Sequence, residues 1–105
     1  MLQRKILIAE DNELKRALLG NILEENYEIL EAENGQIALD VLEDHRDDVA
    51  LILLDINMPV MDGYRVLQEM GANGLLDEVP VVVITADNSL EGELRAFDLG
   101  ASDII

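Results

Sequence analysis

Apolar residues come in short runs separated by polar stretches of a different rhythm. Lys5–Ala9 reads KILIA and stops on Glu10-Asp11. Over Glu13–Glu25, Leu14, Ala17, Leu18 and Ile22 recur at helical spacing, which predicts a helix with those residues on one apolar face. Glu28–Ala32 follows Tyr27 as a second short strand. Asn34-Gly35 marks a turn and a helix start; Ile37, Ala38, Val41 and Leu42 form that helix's apolar face, and it ends near His45. Val49–Leu54 is a continuous apolar run bounded by acids, the pattern of a strand buried on both faces. It ends on Asp55. The loop Ile56–Met61 leads to Asp62, a good N-cap, and a helix through about Met70. Gly71–Asp77 reads as a polar connection. Pro80–Ile84 is the fourth strand and stops on Thr85. Asn88, with Glu91 three residues on, predicts a capping box for a helix over Ser89–Leu99. Gly92 inside it costs about 1 kcal/mol relative to alanine, and Gly100 is the expected stop. Asp103–Ile105 begins a fifth strand.

Strands and helices alternate throughout, βαβαβαβαβ. Such connections are right-handed crossovers, so the expected fold is α/β, a doubly wound parallel sheet of five strands with helices on both faces. The 105 residues suffice for one domain, 1–105.

Composition narrows the function. There are 23 acids against 7 Lys plus Arg, a formal net charge of -16, which argues against direct binding to nucleic acid or an anionic membrane. Phe97, Tyr27 and Tyr64 are the only aromatic residues, too few for a base-stacking platform. With no cysteine, disulfides and thiolate metal sites are excluded. The N-terminus does not read as a signal peptide, and no apolar run approaches membrane-spanning length, so the expected compartment is the cytoplasm.

Three strands end on polar residues: Glu10-Asp11, Asp55 and Thr85. In a parallel sheet these ends lie along one edge, where open α/β sheets place their ligands. Taken alone, Asp55 is as readily the first polar residue of a loop. Together, three carboxylates and a hydroxyl converge, and crowded carboxylates raise one another's pKa unless a cation lies among them. Oxygen ligands suit Mg²⁺, which typically takes one or two carboxylates and a substrate phosphate. The pattern points to a Mg²⁺ site that handles phosphate.

Five segments carry a family resemblance: ILIAEDN at Ile6–Asn12, EAENGQIAL at Glu31–Leu39, LLDINMPVMDG at Leu53–Gly63, VPVVVITA at Val79–Ala86 and AFDLGASDII at Ala96–Ile105. The chain resembles the receiver domain of two-component response regulators, the CheY-like, flavodoxin-like fold. The resemblance implies strand order 2-1-3-4-5. It implies that Asp55 accepts a phosphoryl group from a sensor histidine kinase or phosphotransfer protein, with no enzyme activity beyond its own phosphorylation and dephosphorylation. Asp11 and Asp55 would ligate Mg²⁺ directly, with the backbone carbonyl of Asn57, and Glu10 would assist through water. Thr85 would hydrogen-bond the phosphoryl group and act as the switch, beside a small Ala86.

Two departures stand out. The family usually has a lysine at the end of the fifth strand, followed by proline, and then a fifth helix. This sequence stops at Ile105, about two residues short of that lysine, so the domain reads as incomplete at its C-terminus. By analogy with losing one preorganised transition-state donor, its absence is worth roughly 3–4 kcal/mol of barrier. Ile104 stands where the family usually has Tyr or Phe, so aromatic switching there is not expected. Apolar sheet surface left bare without the fifth helix predicts a dimer or a domain-swapped assembly.

Other residues have plainer readings. His45, beside Arg46, suits a helix C-terminus rather than a phosphorelay. Met58 and Met61 pack the loop, Tyr64 packs at the start of its helix, and Asp87 is as readily a solvated acid as a neighbour of the site. Three further functions compete. A non-phosphorylated pseudo-receiver, an interaction module, is favoured by the missing lysine. An Asp-nucleophile phosphatase expects a second acid where Asn57 stands. A flavin-binding domain would need a hydroxyl- or glycine-rich loop in place of Glu10-Asp11-Asn12.

Overall fold

The structure, a computed structural model, describes residues 4–84 and 89–105. Ten elements follow one another: β1 (Lys5–Ala9), α1 (Glu13–Leu23), β2 (Glu28–Ala32), α2 (Gly35–Asp44), β3 (Val49–Asp55), α3 (Gly63–Ala72), a 3-10 turn (Leu75–Asp77), β4 (Val81–Ile84), α4 (Leu90–Asp98) and β5 (Asp103–Ile104). The strands form one parallel sheet in the order β2-β1-β3-β4-β5. The described residues hold four α-helices, with no fifth.

Period-two alternation explains why the central strands read as unbroken apolar runs. Leu7, Ala9, Ile52, Leu54, Val81 and Val83 point to one side and join Ala38 and Leu42 of α2, Val66, Leu67 and Met70 of α3 and Ala96 of α4. Ile6, Ile8 and Leu53 point the other way, where Leu19 and Leu23 of α1 and Ile29 of β2 pack on them. Each strand must therefore be apolar at every position. One irregularity sets the register. Lys5 pairs with Val49 but Ile6 pairs with Leu51, so Ala50 bulges from β3.

Side-chain oxygens start the helices. Asn12, Asn34 and Asp62 accept the backbone N–H of Lys15, Ile37 and Arg65, each at 2.9 Å. Of the fourth helix's expected cap, Asn88 lies outside the described residues; Ser89 is the N-cap and accepts Gly92 N–H at 3.1 Å. At the other end Gly100, with φ of 113°, donates to Phe97 C=O, and Ala101 donates to Ala96 C=O. This is a Schellman closure, for which a residue of positive φ is required. α3 runs to Ala72, two residues past its expected end, and Leu75 in the predicted polar connection is fully buried.

One expected face is corrected. α1 does not bury Leu14, Ala17, Leu18 and Ile22; Leu14 is 69%, Leu18 54% and Ile22 73% exposed. The helix carries two apolar stripes, and the one containing Leu19 and Leu23 meets the sheet.

Candidate acidic metal site

Glu10 follows β1 directly, Asp11 is next, and Asp55 is the last residue of β3. Since Ala9 pairs with Leu54, the two strands end level, and their acids meet. One carboxylate oxygen from each of Glu10, Asp11 and Asp55 lies within 4.8 Å of the others. Glu10 is the only buried charged residue among those described, at 5% exposure. Its carboxylate accepts the N–H of Asn12 at 3.0 Å. Asp55 is half-buried and Asp11 exposed, so the cluster opens to solvent on one side.

Burial pushes both the Glu10 and Asp55 carboxyls above the ordinary carboxylate range, because each anion loses hydration. Neighbouring acids raise Glu10 further, while the N–H groups of Asn57 and Ile56 help keep Asp55 ionised. Three acids so placed, with hydration partly removed, form a hard-oxygen donor set that fits a divalent cation better than it fits protons at neutral pH. Asn57 is exposed beside Asp55.

The loop after Asp55 is held tightly. Met61 N–H bonds back to Pro59 C=O at 2.7 Å, closing a γ-turn about Val60 at φ of 69°. Gly63 donates to Ile56 C=O at 2.8 Å, and a Cβ there would stand 2.5 Å from the carbonyl oxygen of Asp55. The start of α3 is thus pressed onto the backbone of Asp55. Met58 is buried in the core, as loop packing requires.

Of the expected site residues, Glu10, Asp11 and Asp55 come together. Thr85, with Ala86 and Asp87, lies outside the described residues; its predecessor Ile84 is paired with Asp55. Lys5 is at the far end of β1, bound to Asp48 at 3.1 Å and Glu28 at 3.3 Å, and cannot stand in for the family's lysine. His45 caps α2 at its C-terminus. Sequence reasoning passed over Arg16, whose guanidinium reaches the backbone of Glu10 at 2.8 Å. Its signal, the second of two adjacent cations, Lys15 and Arg16, shortly after an acidic pair, has meaning only once the rotation of α1 is known.

Comparison with known proteins gives the same class of molecule. Residues 6–105 match the family model of the response regulator receiver domain. The chain is 40% identical over 100 residues to the transcriptional regulatory protein PdtaR of Mycobacterium tuberculosis, covering 93% of this chain and 46% of that protein. It is 36% identical over 103 residues to a Vibrio cholerae protein named "Probable cyclic di-GMP phosphodiesterase", covering 98% of this chain and 23% of that protein. Among solved structures, the phosphorylated cyanobacterial phytochrome response regulator RcpA superposes with TM-score 0.88 at 28% identity, over 98% of this chain and 79% of that one. The Mn²⁺-bound form of response regulator Rcp1 gives 0.85 at 27%, over 97% and 79%. The Ssk1 receiver domain, solved with the Saccharomyces cerevisiae phosphotransfer protein Ypd1, gives 0.87 at 25%, over 100% and 79%.

This chain belongs to the response regulator receiver domain family of two-component signal transduction. It spans less than half of either curated relative described above. Receiver domains are generally signalling modules rather than enzymes. No helix among the described residues is long and apolar enough to cross a membrane.

Proposed function

We propose that Asp55 accepts a phosphoryl group from a histidine kinase or phosphotransfer protein, using Mg²⁺ held by Asp11 and Asp55, with the carbonyl of Asn57 and, through water, Glu10. The observation that carries this reading is the convergence of three carboxylates at the ends of β1 and β3. The Mn²⁺-bound and phosphorylated relatives support it by likeness. Bound Mg²⁺ would offset negative charge on the transferring phosphoryl oxygens.

The chain's own residues do the rest. A carboxylate oxygen of Asp55 attacks phosphorus in line; the bond from phosphorus to the donor's nitrogen breaks, and its electron pair leaves with the donor. Burial makes Asp55 a more basic nucleophile, while the N–H groups of Asn57 and Ile56 preserve its anion at neutral pH. Gly63 holds the backbone of Asp55 in place. Thr85 donates a hydrogen bond to the new phosphoryl group, and the added charge draws it inward as the switch. The catalysis is confined to the chain's own phosphorylation and hydrolysis. The compartment proposed is the cytoplasm, where such donors act.

Incubation with Mg²⁺ and acetyl phosphate, followed by intact mass spectrometry, tests the reading. A phosphate-sized mass increase that disappears in Asp55→Asn and on chelation of Mg²⁺ is expected. Mg²⁺ binding without any increase, in this chain and in one extended beyond residue 105, would favour the pseudo-receiver instead.

Association of two copies belongs to the same proposal. α1 turns Leu14, Leu18 and Ile22 to solvent, and α4 turns out Leu90, Leu94 and Phe97. Large apolar side chains exposed along a helix favour pairing. Light scattering at high micromolar concentration should give a dimeric mass, direct or domain-swapped; a monomeric mass overturns it.

A further inference from the structure

Glu10 is the first residue beyond the β1 ladder, whose last pairs are Ala9 with Ala32 and Ala9 with Leu54. A buried chain leaving a sheet must find new partners for its backbone, and Glu10 finds three. Its N–H donates to Ala32 C=O at 3.0 Å, its carboxylate accepts from Asn12 N–H at 3.0 Å, and its C=O accepts from Arg16 Nη1 at 2.8 Å. The first two partners are backbone groups that the fold supplies anyway. The third is a side chain from one turn into α1, only 15% exposed, whose Nε is aimed by Glu31 Oε1 of β2 at 3.1 Å.

We propose that Arg16 is a positioning residue of the metal site: it fixes the Glu10–Asp11 peptide so that both acids present their oxygens opposite Asp55. The inference rests on the reading of these acids as Mg²⁺ ligands. Arg16 acts through the carbonyl of Glu10, so its contribution is orientation of the donor set. The structure gives that carbonyl no other donor among the described residues. Without Arg16 the peptide is freer to turn, and Asp11, exposed at the rim of the cluster, loses its fixed relation to Asp55.

Charge and position predict opposite signs, which makes the role measurable. Removing a cation near three acids should strengthen Mg²⁺ binding if Arg16 acts only through its field. Removing a support of the ligand residues should weaken it, by roughly ten- to hundredfold for outer partners of metal ligands. Titration calorimetry of Mg²⁺ into the full chain is the test. Arg16→Met is expected to weaken binding by about tenfold or more, and Arg16→Lys to restore part of the loss. Labelling of Arg16→Met by acetyl phosphate should recover as Mg²⁺ is raised. Unchanged or tighter binding in a folded Arg16→Met chain overturns the proposal. Should that variant not fold, Arg16→Lys decides, because it keeps the cation and changes its reach to the Glu10 carbonyl: binding weaker than in the unaltered chain supports the role and unaltered binding overturns it. An unaltered chain that binds no Mg²⁺ would overturn the functional reading itself, and this inference with it.

Discussion

A β-branched side chain at positive φ is sterically costly, and Val60 carries one at 69° with its side chain 82% exposed. Strain of this kind is worth about 1–3 kcal/mol, and glycine's greater freedom in the unfolded chain returns about 0.5–1 kcal/mol of it. Val60→Gly should therefore raise stability by about 1 kcal/mol, read from the urea midpoint at unchanged slope. Glu10 and Asp55 carry strain of another kind. Both are acids whose pKa is raised in the fold. Their penalty is absent at acid pH, where folded and unfolded chains are both protonated. It grows as pH rises through the ordinary carboxylate range toward the raised values, since the folded chain then holds the extra protons. In chelator, Asp55→Asn should gain stability over the unaltered chain from acid to neutral pH. Urea titrations at the two pH values check this, and a difference independent of pH contradicts it.

At the scale of elements, α4 shares the core with α3 through Ala96 and is also tied to it at the surface by Tyr64. Tyr64 lies under Arg95, whose guanidinium carbon is 4.0 Å from the ring centroid, and its hydroxyl donates to Gly92 C=O at 3.4 Å. The sequence placed Tyr64 at the start of α3 and could not show what it reaches. Tyr64→Leu forfeits a cation–π contact worth about 0.5–1 kcal/mol at an exposed site, so amide exchange in α4 should quicken while that in α2 does not change. Strand positions were legible because apolar runs in a buried parallel sheet have no other use, and the acids at their ends were legible with them. The rotation of α1 was not. Leu14, Leu18 and Ile22 form as good a stripe as Leu19 and Leu23, and periodicity alone cannot choose which of two stripes meets the sheet. Arg16 was lost for the same reason. The cap at Ser89 was missed because Asn88 offers the same chemistry one residue earlier.

Over the whole molecule, a net charge of -16 on 105 residues opposes compaction. Screening should relieve it, so the melting temperature should rise on going from low to moderate KCl. Mg²⁺ at the same ionic strength should add more, because site binding stabilises by about 2.7 kcal/mol at a hundredfold excess over Kd. Asp55→Asn should retain the KCl response and lose most of the Mg²⁺ increment; equal increments in both chains would mean that Mg²⁺ acts only as a screening ion.

The bulge at Ala50 has a bearing on chemistry far along the strand. Had Lys5 and Val49 set the alignment unbroken, Ala9 would lie beside Leu53, and Asp55 would stand level with Asp11 rather than Glu10. Every side chain of β3 would also face the opposite layer, trading Leu54 for Leu53 against α3. Looping one alanine out of the ladder at the entrance of the strand thus decides which neighbour Asp55 has at its exit. Excising Ala50 would leave the cluster whole, because Leu51 would then follow Val49 beside Ile6 in unbroken register and Asp55 would stay level with Glu10; it is a strand that kept Ala50 but paired it that would part the acids.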